Sequence, residues 1–232
     1  MCSSDLYARN DGETDAVAEA IGEHYRPRFA GDAVPATPVA RAVAVAERAD
    51  TLAGIFAIGQ PPTGDKDPFA LRRAALGLMR TLIEGEHHLQ LDSLFAQALE
   101  QLPASVSGDT QPATVRQFCL ERLRGYYQEQ GIGVEVFDAV AALNGDDPLD
   151  FHRRVLACAA FLELDAAASL AAANKRVANI LRKNDEPLPD APAPERFTTA
   201  EEQALSAALA PLVTDVAALA NSGEYQQALE RL

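Results

Sequence analysis

The apolar side chains of this chain are mostly small, and this feature constrains its fold more than any other. Hydrophobic residues make up 48% of the 232 positions, yet aromatic residues contribute only 6% and tryptophan is absent. Alanine recurs in runs, for example across 165–173. Alanine favours helices, whereas β-branched and aromatic side chains are enriched in sheets. The composition therefore predicts an all-α protein, and the length allows one or two domain cores.

Apolar residues spaced three or four apart predict the individual helices. The predicted ranges are 14–29, 39–58, 89–102, 113–130, 134–143, 148–164 and 165–183, the last two open to being one helix. Asp67 is predicted to cap a further helix with Pro68 in its first turn. Thr198 or Thr199 caps another, and one more starts at Glu224.

Some details of these helices are also predicted. In 39–58 the residues Val43, Ala46, Asp50 and Ala53 are expected to form one stripe, interrupted by Asp50. In the last of the alanine-rich helices, the segment 171–183 is expected to bury Val177, Ile180 and Leu181 together with Ala173 and Asn174.

Two loops divide the chain. The Ser, Gly and Pro residues of 104–112 predict a boundary between domains at 1–105 and 106–232. Four prolines within 184–196 predict an extended linker or exposed crossing. The last helical pattern reaches residue 232 without a stop signal, so we expect the sequence to be cut short.

The lack of membrane-spanning and signal-peptide patterns and the spacing of the cysteines favour a cytoplasmic protein. No apolar run approaches the ~20 residues of a membrane-spanning helix, and no signal peptide pattern is present. We therefore expect no membrane association. Cys2, Cys119 and Cys158 are far apart and form no CxxC pair, which favours ordinary thiols over a disulfide framework or a zinc site.

Charge is strongly negative overall but unevenly distributed. The formal net charge is -14, which by itself argues against nucleic acid. The segment 171–183 nevertheless carries Lys175, Arg176, Arg182 and Lys183 without an acidic residue. Arg182 and Lys183 could simply offset the helix dipole at a C-terminus, whereas Lys175 and Arg176 lack that explanation. RNA contact and plain solubility remain open here.

A second basic cluster surrounds the helix start near Asp67. Lys66, Arg72 and Arg73, with the amides of the first turn, could receive a phosphate or an RNA end. Asp65 and Asp67 oppose this interpretation, and the alternative is a solvated face. Tyr126 and Tyr127, near Arg122 and Arg124, could stack on bases or could belong to the core.

Common enzymatic signatures are missing from the sequence. It contains no GxxxxGK[ST], GxGxxG, HExxH or GxSxG motif, so no catalytic residue is predicted. His24 and Asp50 on consecutive helices could ligate a metal in an HD-type phosphohydrolase. Such a site needs more ligands, and the alternative is a structural His24. We predict no metal site.

Four segments carry a family resemblance, in matching order and approximate spacing: 23–35 (EHYRPRFAGDAVP), 43–77 (VAVAERADTLAGIFAIGQPPTGDKDPFALRRAALG), 121–131 (ERLRGYYQEQG) and 171–183 (AAANKRVANILRK). They resemble the β subunit of bacterial glycyl-tRNA synthetase. The resemblance implies an α/β class II ligase, in which the α subunit holds glycine, ATP and Mg and the β subunit holds glycine tRNA. It implies no cofactor in this chain and no DNA partner. Residues 1–6 do not resemble the family.

The same resemblance implies a degenerate HD-like helical domain at 1–105 and a truncated helical anticodon-binding domain at 106–232, similar to that of arginyl-tRNA synthetase. It assigns tRNA contacts to the cations of both domains: Lys66, Arg72, Arg73, Lys175, Arg176, Arg182 and Lys183. The expected function is non-catalytic tRNA contact within ATP-dependent glycylation. The alternatives are the HD-type metal-dependent phosphohydrolase and a purely structural helical interaction module.

Overall fold

The computed structural model describes residues 4–103, 105–106, 109–143, 145–183 and 193–232, and within these ranges the chain is helical with no β-strand. The all-α prediction is confirmed. The helices are α1 (Ser4–Asn10), α2 (Asp15–Glu23), α3 (Pro38–Ala57), α4 (Leu71–Glu84), α5 (Leu91–Glu100), α6 (Pro112–Glu129), α7 (Val134–Ala141), α8 (Pro148–Leu162), α9 (Ala167–Leu181), α10 (Ala200–Asn221) and α11 (Tyr225–Glu230), with a 3₁₀ turn at Pro194–Arg196.

The helices form two compact units, Met1–His152 and Arg153–Leu232, and the boundary along the chain falls within α8. The domains predicted from the sequence, 1–105 and 106–232, divide the chain elsewhere. Their boundary stays a prediction, as do the HD-like and anticodon-binding descriptions. The first unit continues past residue 105 because α6 packs against α3, α4 and α5.

The core of the first unit is built around α3, which packs against α2, α4, α5 and α6. Leucines from α3, α4 and α6 are fully buried there, together with Phe95 of α5. A second part of this core is aromatic: Tyr127 lies between Phe137 and Phe151, with ring centroids 6.4 and 6.2 Å away. Tyr127 therefore belongs to the core rather than to a base-stacking surface, and burial raises the pKa of its hydroxyl.

The predicted apolar stripe of α3 is wrong. Val43, Ala46 and Asp50 are exposed, and only Ala53 of that set is buried. The buried face instead contains Ala40, Ala44, Arg48, Ala49, Leu52, Ala53, Phe56 and Ala57. Alanines lie on most sides of this helix, so periodicity did not determine which side would pack against α4.

The residue predicted to cap α4 does so, but the helix begins later in the sequence than predicted. The Asp67 carboxylate accepts hydrogen bonds from the amides of Leu71 (2.8 Å) and Arg72 (3.0 Å), so Asp67 does cap the helix. The helix begins only at Leu71, after Ala70 in the left-handed region with φ 54°. Pro68 thus precedes the helix instead of lying in its first turn.

Helix α2 is shorter than predicted. It ends at Glu23, whereas the pattern predicted helix to residue 29. Pro27 prevents the helix from continuing to residue 29, because a proline lacks an amide donor and disfavours helical geometry at the residue before it, Arg26.

The second unit contains α9, α10 and α11 with the end of α8. α8 and α9 are separate helices, bent by 103° at the break between them. Thr199 caps α10, as predicted for Thr198 or Thr199. The predicted buried side of α9 is wrong: Val177 is 52% and Ile180 is 59% exposed. In the predicted Pro-rich crossing, 184–192 lie outside the described residues.

Two smaller predictions concern membrane-spanning segments and the cysteines. α10 spans 22 residues with a mean hydropathy of 1.5 over its apolar window, so by length and composition it could cross a membrane, contrary to the expectation that no run is long enough. Alanine supplies much of this hydropathy. Cys119 and Cys158 are free thiols, and burial raises the pKa of both.

Candidate nucleic-acid interface

The seven predicted cations fall into two groups, one in each compact unit. Within the described ranges, none of the seven forms an ion pair. Other arginines are neutralised by nearby carboxylates, in the pairs Arg9–Asp15, Arg26–Glu23, Arg28–Asp32, Arg80–Glu84, Arg116–Asp92 and Arg124–Asp138. The predicted cations are therefore available to an external anion.

The α9 stripe is defined as Lys175, Arg176 and Lys183. Lys175 and Arg176 lie on α9, and Lys183 follows two residues after its last residue, Leu181. These side chains, with Ile180, line one shallow depression on the surface of α9. All three cations are exposed.

Arg182 does not belong to this stripe. Its guanidinium donates a hydrogen bond to Asn179 Oδ1 at 3.0 Å, just past the last residue of α9. A cation at that position also offsets the helix dipole. Arg182 is thus the member of the predicted α9 set whose position has a local structural explanation.

The group in the first unit lies around the start of α4. Lys66 is exposed in a tight turn, where its amide donates to the Thr63 carbonyl at 2.9 Å. Arg72 donates a hydrogen bond to the Gly64 carbonyl, and Arg73 is exposed. The amides of Leu71 and Arg72 are already bonded to Asp67, so they are not open to a phosphate. Any anion contact here depends on side chains.

Arg72 and Arg73 line a groove of about 350 Å³ between the 27–30 loop, α4 and α6. Phe29 and Gly125 also line it, and neither was predicted as a site residue. Arg122 of α6 joins them; its guanidinium lies over the Phe118 ring, 5.3 Å from the centroid. The residues come from three distant parts of the sequence, so no local pattern could reveal the groove.

The region proposed for a metal has a different chemistry. His24 Nδ1 lies 2.8 Å from the Ile21 carbonyl oxygen, and Asp50 is exposed on α3. Arg48 donates a hydrogen bond to the His24 carbonyl at 2.9 Å, which places a permanent positive charge beside this histidine. Among the described residues, no group of three or more His, Cys, Asp or Glu side chains could hold a metal ion. The geometry does not favour the hydrolase alternative.

Comparison with known proteins identifies the family. A family model described as glycyl-tRNA synthetase beta subunit matches residues 3–142. The chain belongs to this family. The glycine-tRNA ligase beta subunits of Aeromonas hydrophila, Aeromonas salmonicida and Shewanella oneidensis are 51%, 50% and 47% identical to it over 226 residues. The resemblance of the four segments is confirmed, whereas the expectation that residues 1–6 lie outside the family is wrong from residue 3 onward.

The matched region covers nearly all of this chain but only part of each relative. It includes 97% of this chain but 33% of each of these three relatives. The chain thus spans about a third of the length of the curated relatives it matches. The match over 226 of the 232 residues extends through both compact units, which include the α9 stripe and the groove.

Proposed function

We propose that this chain contributes non-catalytic tRNA contacts to a glycine-tRNA ligase, with α9 as the principal contact. The observation that carries the proposal is the α9 stripe: its cations are exposed and form no ion pair within the described residues, whereas six other arginines of the chain are paired with carboxylates. The relatives are named as beta subunits of a ligase for glycine and tRNA, which supports glycine tRNA as the RNA.

Local charge decides whether an acidic protein can bind RNA. At physiological ionic strength the Debye length is about 8 Å, so distant surface charges are largely screened. The segment from 166 to 183 contains no acidic residue. A phosphate beside Lys175 and Arg176 therefore experiences the nearby cations more strongly than the net charge of -14.

The chemistry of glycylation is assigned to another chain. In the proposal, an α subunit holds glycine, ATP and Mg, and no residue of this chain touches the reacting atoms. The beta-subunit names of the relatives support such a partner. Since tRNA charging uses the cytosolic pools of ATP and tRNA, the proposal places the chain in the cytoplasm, without DNA or membrane as a partner.

Removing the α9 cations tests the proposal. In the assembled complex, Lys175→Ala with Arg176→Ala should weaken binding of glycine tRNA roughly two- to thirtyfold, the range expected for two exposed charged side chains. It should also lower the salt slope of log K by about 1 for each phosphate that the variant no longer binds. Filter binding at several salt concentrations measures both quantities.

A matched control removes two positive charges elsewhere on the chain. Arg9→Ala with Arg231→Ala changes the net charge equally, and both positions are exposed. The control should leave the affinity and the salt slope unchanged. If both double variants weaken tRNA binding equally, the loss of net positive charge explains the effect, and α9 is not the principal contact.

An interaction module is the second candidate, favoured by the exposed apolar residues of α10. Leu205, Leu209 and Val213 are 61%, 47% and 68% exposed. If α10 serves only to bind a protein, the chain should crosslink to the α subunit while glycine tRNA forms no crosslink to α9. Crosslinks from tRNA to α9 would support the RNA-binding proposal.

A further inference from the structure

The groove between the 27–30 loop, α4 and α6 contains more positive charge than its surroundings neutralise. Four arginines line it: Arg72, Arg73, Arg80 and Arg122. Arg80 is neutralised by Glu84, with Nε 2.6 Å from the carboxylate. The single acidic residue of the lining, Glu121, is engaged by Arg124 at 3.2 Å. Three arginines of the groove thus have no ion-pair partner in the described part of the chain.

Arg122 carries a further sign of a missing partner. Its Nε is buried, yet it has no hydrogen-bond partner. A buried N–H donor without an acceptor is costly, and most such groups in native proteins are satisfied by protein, water or ligand. Its guanidinium lines the groove, so a phosphate oxygen entering there could satisfy it.

The remaining lining suits a base rather than an inorganic ion alone. Phe29 is 62% exposed at the edge of the groove, and Leu76, Gly77 and Gly125 present little polar surface. Exposed aromatic rings are the surfaces on which unpaired bases stack. The volume of about 350 Å³ lies at the small end of ligand sites, which span roughly 300–1,000 Å³. One nucleotide is an appropriate size.

We propose that this groove binds one unpaired nucleotide of an RNA strand, with its phosphodiester on Arg73 and Arg122 and its base against Phe29. The inference rests on the proposed RNA-binding function and deepens it, because it names the kind of RNA segment, an unpaired nucleotide, that the groove of the first unit binds. The α9 stripe contacts RNA through charge alone. The groove adds stacking of a base on Phe29, so it distinguishes a single-stranded RNA segment from a helical one.

Two substitutions test the groove in the assembled complex, with a fluorescent single-stranded oligoribonucleotide as the probe in anisotropy titrations. Arg122→Met removes the donor and the charge, and should weaken binding several-fold and lower the salt slope by about 1. Its matched control is Arg231→Met, which also removes one positive charge but at an exposed position outside the groove lining. The control should bind as the unmodified complex does.

Gly125→Leu tests occupancy without depending on a buried charge. A Cβ at Gly125 would meet no atom within 4 Å, so the position has room for the start of a side chain. Leucine is also the better helix former. We expect a melting temperature at least as high as that of the unmodified complex and an affinity for the oligoribonucleotide about tenfold lower, as for removal of one stacked base. Unchanged affinity in both Arg122→Met and Gly125→Leu would overturn the proposal.

Two comparisons separate this proposal from others. If the α9 double variant weakens tRNA binding while the groove variants do not, the groove proposal fails and the proposed function stands. If neither set has an effect, both fail. Adenosine monophosphate and inorganic phosphate serve as additional probes: micromolar binding of either one that the oligoribonucleotide cannot displace would overturn the assignment to an RNA strand.

Discussion

At the scale of single residues, Arg48 shows how a charged side chain can serve as part of the core. It is 4% exposed and donates hydrogen bonds to the carbonyls of Ala44, His24 and Arg26. Burial lowers the pKa of the guanidinium, but the reference value for arginine is so high that it stays charged at neutral pH. These hydrogen bonds hold the end of α2 and the loop that follows it against α3.

Gly77 is required by this arrangement. A Cβ added at Gly77 would lie 2.7 Å from Arg48 Nε. We expect Gly77→Ala to lower the free energy of unfolding by about 1–3 kcal/mol, the usual cost of overpacking. This destabilisation would come despite the higher helix propensity of alanine. Urea unfolding followed by circular dichroism measures it.

Gly125→Ala is the matched control for that experiment. Gly125 is also helical, but an added Cβ there meets no atom within 4 Å. Because only helix propensity changes, the free energy of unfolding should rise by about 0.5–1 kcal/mol. If both alanine variants are stabilised alike, close packing between Arg48 and Gly77 does not constrain this core.

At the scale of elements, α10 begins with a capping box that its local sequence fully specifies. The Glu202 carboxylate accepts hydrogen bonds from the amides of Thr199 (3.0 Å) and Thr198 (2.8 Å), and Thr199 Oγ1 accepts one from the Glu202 amide. The backbone hydrogen bond from Thr199, followed by that from Thr198, holds the pKa of Glu202 below its usual value. The predicted cap was correct because all its partners lie within four residues.

The lowered pKa gives α10 a dependence on pH of known sign. A carboxylate with a depressed folded-state pKa contributes its full stabilisation above the unfolded pKa and loses it as pH falls through the folded value. We therefore expect the first turn of α10 to fray as pH drops below the ordinary glutamate range. Amide exchange at Thr199 and Glu202, with a carbon-13 carboxyl titration of Glu202, measures this.

Glu202→Gln supplies the comparison for this titration. It keeps a side-chain oxygen that can accept a hydrogen bond but removes the ionisable group, so exchange near the cap should lose its dependence on pH in that range. A Glu202 titration midpoint at or above the ordinary glutamate value would contradict the capping role of this carboxylate.

At the scale of the whole molecule, α10 leaves a row of large apolar side chains exposed. None of its residues is buried, and Leu209 and Val213 lie four residues apart on one side. Contiguous exposed apolar patches mark interaction sites or promote association. We expect the isolated 232-residue chain to self-associate, with a mass in sedimentation velocity that increases with protein concentration. Leu209→Glu with Val213→Glu should shift the chain toward monomer.

Helix α3 provides a matched control for the added charge. Val39 and Val43 are also four residues apart and are 46% and 42% exposed. Val39→Glu with Val43→Glu adds the same two charges but should leave self-association unchanged. A monomer at every concentration, or equal effects of the two double variants, would show that the α10 surface does not drive association.

The sequence by itself determined the helical class, the caps at Asp67 and Thr199, the basic segment 171–183 and the family. These features depend on composition, on interactions a few residues apart or on agreement along the chain. The tertiary structure alone decided which side of α3 is buried, because alanine leaves several sides of a helix equally able to pack. It also decided that α9 stays exposed and that Phe29, Arg73 and Arg122 share a groove, because these three residues come together only when distant segments pack.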